Sequence, residues 1–165
     1  MIVIKKISNF LWHNPHAIHP VIIAHVNLGS AAGWNFNSLD ENVRRQIIKK
    51  FPVLAENNEN HNATSFISKI CLFMQQEKFS VTNEGGGSNE YFYFAARDFF
   101  YAAEVAKNVT IFFNLLLKTP ALNSAQTAKA LIQLENICEH FALDQSVRAM
   151  ITEAEKRDIP WFRIA

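Results

Sequence analysis

An excess of charge of either sign is missing from this chain. Its 165 residues carry 16 Lys and Arg against 15 Asp and Glu, a formal net charge of +1. No bulk field therefore draws in a polyanion such as nucleic acid. Cysteine is scarce, with Cys71 and Cys138 far apart and each set in an apolar helical pattern. Two reduced, buried thiols in a cytoplasmic protein are the expected reading, and a disulfide is the minor alternative. No unbroken apolar run is long enough to span a membrane. The longest, Phe99 to Leu117, is interrupted by Glu104, Lys107, Asn108 and Asn114, which suits a buried helix. Met1 leads straight into Ile-Val-Ile-Lys-Lys, a strand pattern without the apolar region of a signal peptide. Internal repeats and an obvious second domain are absent as well.

What is present is apolar mass. The hydrophobic fraction is 49% and the charged fraction 19%, values of a folded chain and not of a disordered one. The length suits one domain with a real core. Fourteen Phe must be buried somewhere, and part of that surface is available to a partner or a neighbouring domain.

Periodicity gives the order of elements. Residues 1 to 8 alternate through Ile2, Ile4 and Ile7 and read as an opening strand. A Pro- and His-rich connection, Trp12 to Pro20, leads to a second strand at Val21 to Leu28, ended by Gly29; Gly33 marks a loop. Ser38 and Glu41 form a capping-box pattern for a helix that Pro52 ends after Phe51. Its apolar face is Val43, Ile47 and Ile48, and its polar face is Arg44, Arg45, Lys49 and Lys50. A polar loop at 55–62 precedes a helix over Thr64 to Glu77, with Asn62 or Thr64 as N-cap. The apolar residues of that helix, Phe66, Ile67, Ile70, Cys71, Phe73 and Met74, recur at helical spacing. Phe79–Thr82 and Tyr91–Ala95 are strand-like, joined across Gly85, Gly86, Gly87 and Ser88. Asp98 caps a long helix that ends near Lys118; helices at Ser124–Phe141 and Ser146–Arg157 and an extended ending from Ile159 follow. The order ββααββααα predicts a single α+β domain, a small mixed sheet covered by about five helices.

Local motifs offer little chemistry. His13, His16 and His19 are three apart, but the flanking prolines argue against a helix that would align them, and no accompanying Cys or carboxylate ligands lie close in sequence. His25, His61 and His140 read as structural. The triple glycine lacks the Gly-Lys-Ser/Thr ending of a P-loop and reads as a flexible hairpin connection. No Ser-His-Asp or Cys-His arrangement can be assembled. The basic face of Arg44, Arg45, Lys49 and Lys50 reads first as a solvated helix face.

The ending Ser146-Val-Arg-Ala-Met-Ile-Thr-Glu-Ala-Glu-Lys-Arg-Asp-Ile-Pro-Trp-Phe-Arg resembles a junction of the cyanophycin synthetase family. There the N-terminal domain hands over to an ATP-grasp domain. Pro20-Val21, Val26-Asn27-Leu28-Gly29 and Phe51-Pro52-Val53-Leu54-Ala55-Glu56 also resemble family segments, and Tyr91 opens the strand before the long Ala-rich helix. The resemblance implies a domain of an ATP-dependent peptide ligase that extends an aspartate-backbone polymer. ATP and Mg would serve the parent ligase, and this domain would hold no cofactor. Its implied partners are the polymer and the ATP-grasp domain of the same protein. Nucleic acid and membrane are excluded, and a homo-oligomer is left open.

Two departures bear on activity. The family's early Gly-Pro-Asn-x-Trp box falls on Trp12 to His16, where only Asn14 fits. Many members carry a His-x-x-Glu-His motif on the helix corresponding to 64–77, a metallopeptidase spacing associated with cutting polymer to make primers. That motif puts two ligands on one helix face with a base beside them. Here the ligand positions fall at Ser65 and Lys69 and the Glu at Ser68. An ammonium group repels a dication and serine is a poor zinc ligand, so no catalytic or metal-binding residue is expected. Arg44, Arg45 and Lys49 are the candidates for meeting polymer carboxylates. Ser65, Ser68 and Lys69 are expected on one exposed or cleft-facing side. The alternatives are a metal-dependent hydrolase using His13, His16 and His61, and a stand-alone interaction domain.

Overall fold

A computed structural model describes the chain apart from residues 12–18, 59, 119–120, 160 and 162–165, and the side chains of 56–58. The elements run β1 Val3–Phe10, β2 Val21–Asn27, α1 Glu41–Lys50, α2 Ala63–Gln76, β3 Gly85–Gly87, β4 Tyr91–Ala95, α3 Phe99–Leu116, α4 Ser124–Phe141 and α5 Gln145–Lys156. Short 3-10 helices at Gly29–Ala31, Phe36–Ser38 and Pro52–Asn58 punctuate the first half. The architecture is the expected α+β domain. Among these described residues no helix is long and apolar enough to cross a membrane.

The four strands are ordered β1-β2-β4-β3, and every pairing is antiparallel. The sheet is thus not mixed. The connection through α1 and α2 does carry the chain back so that β3 runs the same way as β2, but β4 inserts between the two and pairs antiparallel with each. Ile22, Ala24 and Val26 of β2 and Phe92 and Phe94 of β4 are buried on one face of the sheet. Helices α2 and α3 cover that face, and α4 packs in turn against α3 and α1. The centre of the core belongs to α2, whose Phe66, Ile67, Ile70 and Cys71 are wholly buried. Caps open several helices as short polar side chains do. Asn62 accepts from Ser65 N, Asp98 from Tyr101 N and Asn123 from Gln126 N.

Three local expectations are corrected. Ser38 does not cap α1; the Asp40 carboxylate accepts from Asn42 N and Val43 N, while Ser38 Oγ donates to Asn35 O within its own turn. An ionised carboxylate at a helix N-terminus also meets the positive end of the dipole, which favours Asp40. Residues 55–62 are not all loop, because a 3-10 helix extends to Asn58. Phe79–Thr82 is not a strand. Phe79 closes the end of α2, its N–H donating to Gln75 O, and its ring lies 6.1 Å from Tyr101.

The strand is instead the glycine run itself. A Cβ at Gly85 would stand 2.9 Å from Ser68 Oγ, and one at Gly87 would stand 2.8 Å from Thr64 Cβ. Only a strand without side chains passes this close beneath α2, so the sequence that looks like a flexible connector is a packing surface. The extended ending expected from Ile159 lies mostly outside the described residues.

Candidate functional site

Helix α1 presents two different sides because its apolar residues recur at helical spacing. Val43 and Ile47 are buried, and Lys50 forms an ion pair with Glu135 that ties the helix to α4. Arg44 and Arg45 line an open concavity of about 470 Å³, whose other walls include Phe36, Asn37, Glu41 and Leu54. The Arg44 guanidinium is held from one side, Nη1 donating to Asn37 Oδ1 at 3.1 Å. Its Nε lies closed off from solvent without a hydrogen-bond partner. Arg45 Nη2 donates to Glu41 Oε1 at 2.5 Å. Both partners of that pair are largely exposed, so the contact contributes at most about 1 kcal/mol and can be exchanged. Lys49 is exposed and does not line the concavity. The structure therefore brings together two of the three cations proposed from the sequence and leaves the third apart.

On α2 the three positions aligned with the family's metallopeptidase motif do not share one exposed side. Ser65 and Lys69, one turn apart, are half-buried. Ser68 is fully buried and donates from Oγ to Tyr93 O at 2.6 Å. The cause is the glycine strand, which draws α2 onto the sheet and turns position 68 into a helix–sheet contact. A carboxylate at that position would face a carbonyl oxygen, two acceptors with no proton between them.

The histidines scatter. His13 and His16 lie outside the described residues. His19 Nδ1 is 2.5 Å from Glu84 Oε1. His61 is buried, and its Nε2, 3.1 Å from Leu54 O, must carry the proton because a carbonyl only accepts. His25 is exposed near Tyr91, and His140 stands edge-on to Phe141. Among the described residues no group of three His, Cys, Asp or Glu is placed to hold a metal ion.

Cys71 and Cys138 are free and buried. Burial pushes the Cys138 thiol up to about 12, with Glu139 and Glu104 adding to the effect. Burial, and then Cys138, raises Cys71 as well. Neither is a thiolate near neutral pH, so neither is an activated nucleophile.

Asn37 and the Leu54 wall carried no signal in the sequence, because they reach Arg44 only through the fold. A second concavity of about 280 Å³ lies between the start of α1 and the end of α3, walled by Trp34, Leu39, Leu116 and Leu122. It is mostly apolar and offers no titratable group except the capping Asp40. Set against known proteins, the chain matches no family model and no curated protein.

Proposed function

We propose that the chain is a non-catalytic N-terminal domain of a cyanophycin-synthetase-like ATP-dependent peptide ligase. In this reading it binds or orients the aspartate-backbone polymer and packs against the ATP-grasp domain. The observation that supports it is the pairing of Arg44 and Arg45 in one open concavity. Arg44 is pre-oriented by Asn37, which lowers the ordering penalty of binding. Arg45 is engaged by the exposed Glu41, a carboxylate that the polymer's own carboxylates would replace. The non-catalytic part of the reading rests on Ser65, Ser68 and Lys69, whose side chains cannot serve as two metal ligands and a base.

Binding of polyaspartate, followed by fluorescence anisotropy at low salt, tests the assignment. Arg44→Ala should weaken affinity by about tenfold, the loss of one charge-assisted bond of ~1.5 kcal/mol. Arg45→Ala should act in the same direction, and Lys49→Ala should act only weakly through screened charge. Unchanged affinity in the Arg44→Ala, Arg45→Ala double variant would remove the site from consideration.

A further inference from the structure

The second concavity, between the start of α1 and the end of α3, joins apolar walls to a single charged pole. Val43 and Leu116 form its floor and belong to the core, 3% and 6% exposed. Trp34, Leu39 and Leu122 form the rim, packed against the core but only half-buried. Their remaining apolar surface faces the opening. Trp34 is held from behind, its ring edge-on to Phe66 at 5.3 Å and to Phe113 at 4.7 Å. A rim pinned in this way keeps its shape when a ligand enters, which lowers the ordering cost of binding.

The pole is negative. Asp40 is exposed, and among the described residues that wall the concavity it is the only titratable one. It caps α1 through Oδ1 alone, which accepts from Asn42 N at 2.9 Å and from Val43 N at 3.3 Å. Oδ2 keeps its lone pairs for a further donor. Ser38 commits its hydroxyl proton to Asn35 O, so its oxygen too is left as an acceptor. The nearest cation of α1, Arg44, turns the other way and donates to Asn37 in the first concavity. The site also lies at the C-terminal end of α3, where a helix carries partial negative charge.

We propose that this concavity binds a small primary ammonium ion with an aromatic body. Size sets the class. An apolar cavity of ~150 Å³ holds one benzene ring, so a concavity of about 280 Å³ takes a ring and a short arm. The ring lies among Trp34, Leu39 and Leu116, and the ammonium at the end of the arm donates to Asp40 Oδ2. Charge sets the sign. A carboxylate in the same place meets Asp40 as a like charge, and a hydroxyl loses the ionic part of the bond. The two concavities share no wall residue, so nothing in this site depends on the polymer-binding reading.

Amide NMR of the full chain, titrated at neutral pH with phenethylammonium, phenylethanol and phenylacetate, tests the proposal. Phenethylammonium should shift the Trp34 indole and the amides of Leu39 and Leu116 saturably, with a Kd in the millimolar range that so few heavy atoms allow. Phenylethanol, the same body without charge, should bind about fivefold more weakly, and phenylacetate should not bind. Asn caps a helix as well as Asp does, so Asp40→Asn keeps α1 and removes only the charge. In that variant the ammonium should fall to the affinity of the alcohol, with an unchanged circular dichroism spectrum verifying the fold. The comparison of the three probes on the unaltered chain stands without the variant. No saturable shift at tens of millimolar would overturn the proposal. So would equal affinity for ammonium and alcohol, an ammonium preference that survives Asp40→Asn, or shifts centred on Arg44 and Arg45.

Discussion

Gly85 and Gly87 let α2 come close to the sheet; a larger residue at Gly85 would displace the Ser68 hydroxyl, and one at Gly87 would collide with Thr64 and with the backbone at Tyr91. A Cβ at Gly87 would meet Thr64 Cβ at 2.8 Å and Tyr91 O at 2.9 Å. Gly87→Ala should therefore destabilise the fold by about 1–3 kcal/mol, read as a lower urea midpoint. Gln75 presents the opposite case. It is fully buried, and neither its amide nitrogen nor its amide oxygen bonds another protein group. Gln75→Met keeps the shape and removes two unsatisfied groups, so stability should stay level or rise by about 1 kcal/mol; a clear fall would refute this account. The buried thiols give a pH dependence. Unfolded, Cys138 ionises near its ordinary value of 9.0, whereas folded it holds its proton to about 12. Across that window the native state binds more protons than the unfolded chain, so stability falls as pH rises. Urea unfolding at about pH 8 and about pH 10.5 should show the decline, reduced in Cys138→Ser. The burial of both cysteines was legible from their apolar helical settings. The tight contact at Gly87 was not, since its partner Thr64 is remote in sequence and glycine carries no pattern of its own.

Helix α5 is amphipathic, yet none of its residues is fully buried. Its tie to the body runs largely through Glu155, which accepts from Arg97 Nε at 2.6 Å and from Trp161 Nε1 at 2.8 Å. Glu155→Ala should speed amide exchange in α5 while leaving α2 and α3 protected, because a helix without buried anchors opens on its own. Uniform acceleration across all helices would contradict this. The extents of α4 and β4 were readable directly, as a helix over Ser124–Phe141 and a strand-like aromatic run at Tyr91–Ala95. Element β3 was misplaced for a physical reason. Phe79–Thr82 has strand composition, but Phe79 is consumed in closing α2, while the glycines pair with β4 in a space beneath α2 that admits no side chain. The α1 cap moved from Ser38 to Asp40 because Ser38 found a local carbonyl first.

At the scale of the whole molecule, the order of elements was enough to give an α+β fold, since runs of strands and helices in that order leave few ways to cover one sheet. The concavity beside α1 was half legible. Its basic face could be read from spacing, but the assignment of Arg44 to Asn37, Arg45 to Glu41 and Lys50 to Glu135 decides which cation faces inward, and that needs three dimensions. One contact joins distant parts of the chain, the clasp of Asn114 on the backbone of Ile2, 112 positions away. Its consequence lies in time. A chain made at about 5–20 residues per second has completed β1 long before Asn114 exists, an interval on the order of 6–20 s. Strand β2 can pair with β1 early, but the clasp at Ile2 must wait for α3. For that interval the free edge of β1 carries Lys5 and Lys6, charged side chains of the kind that discourage pairing with another chain.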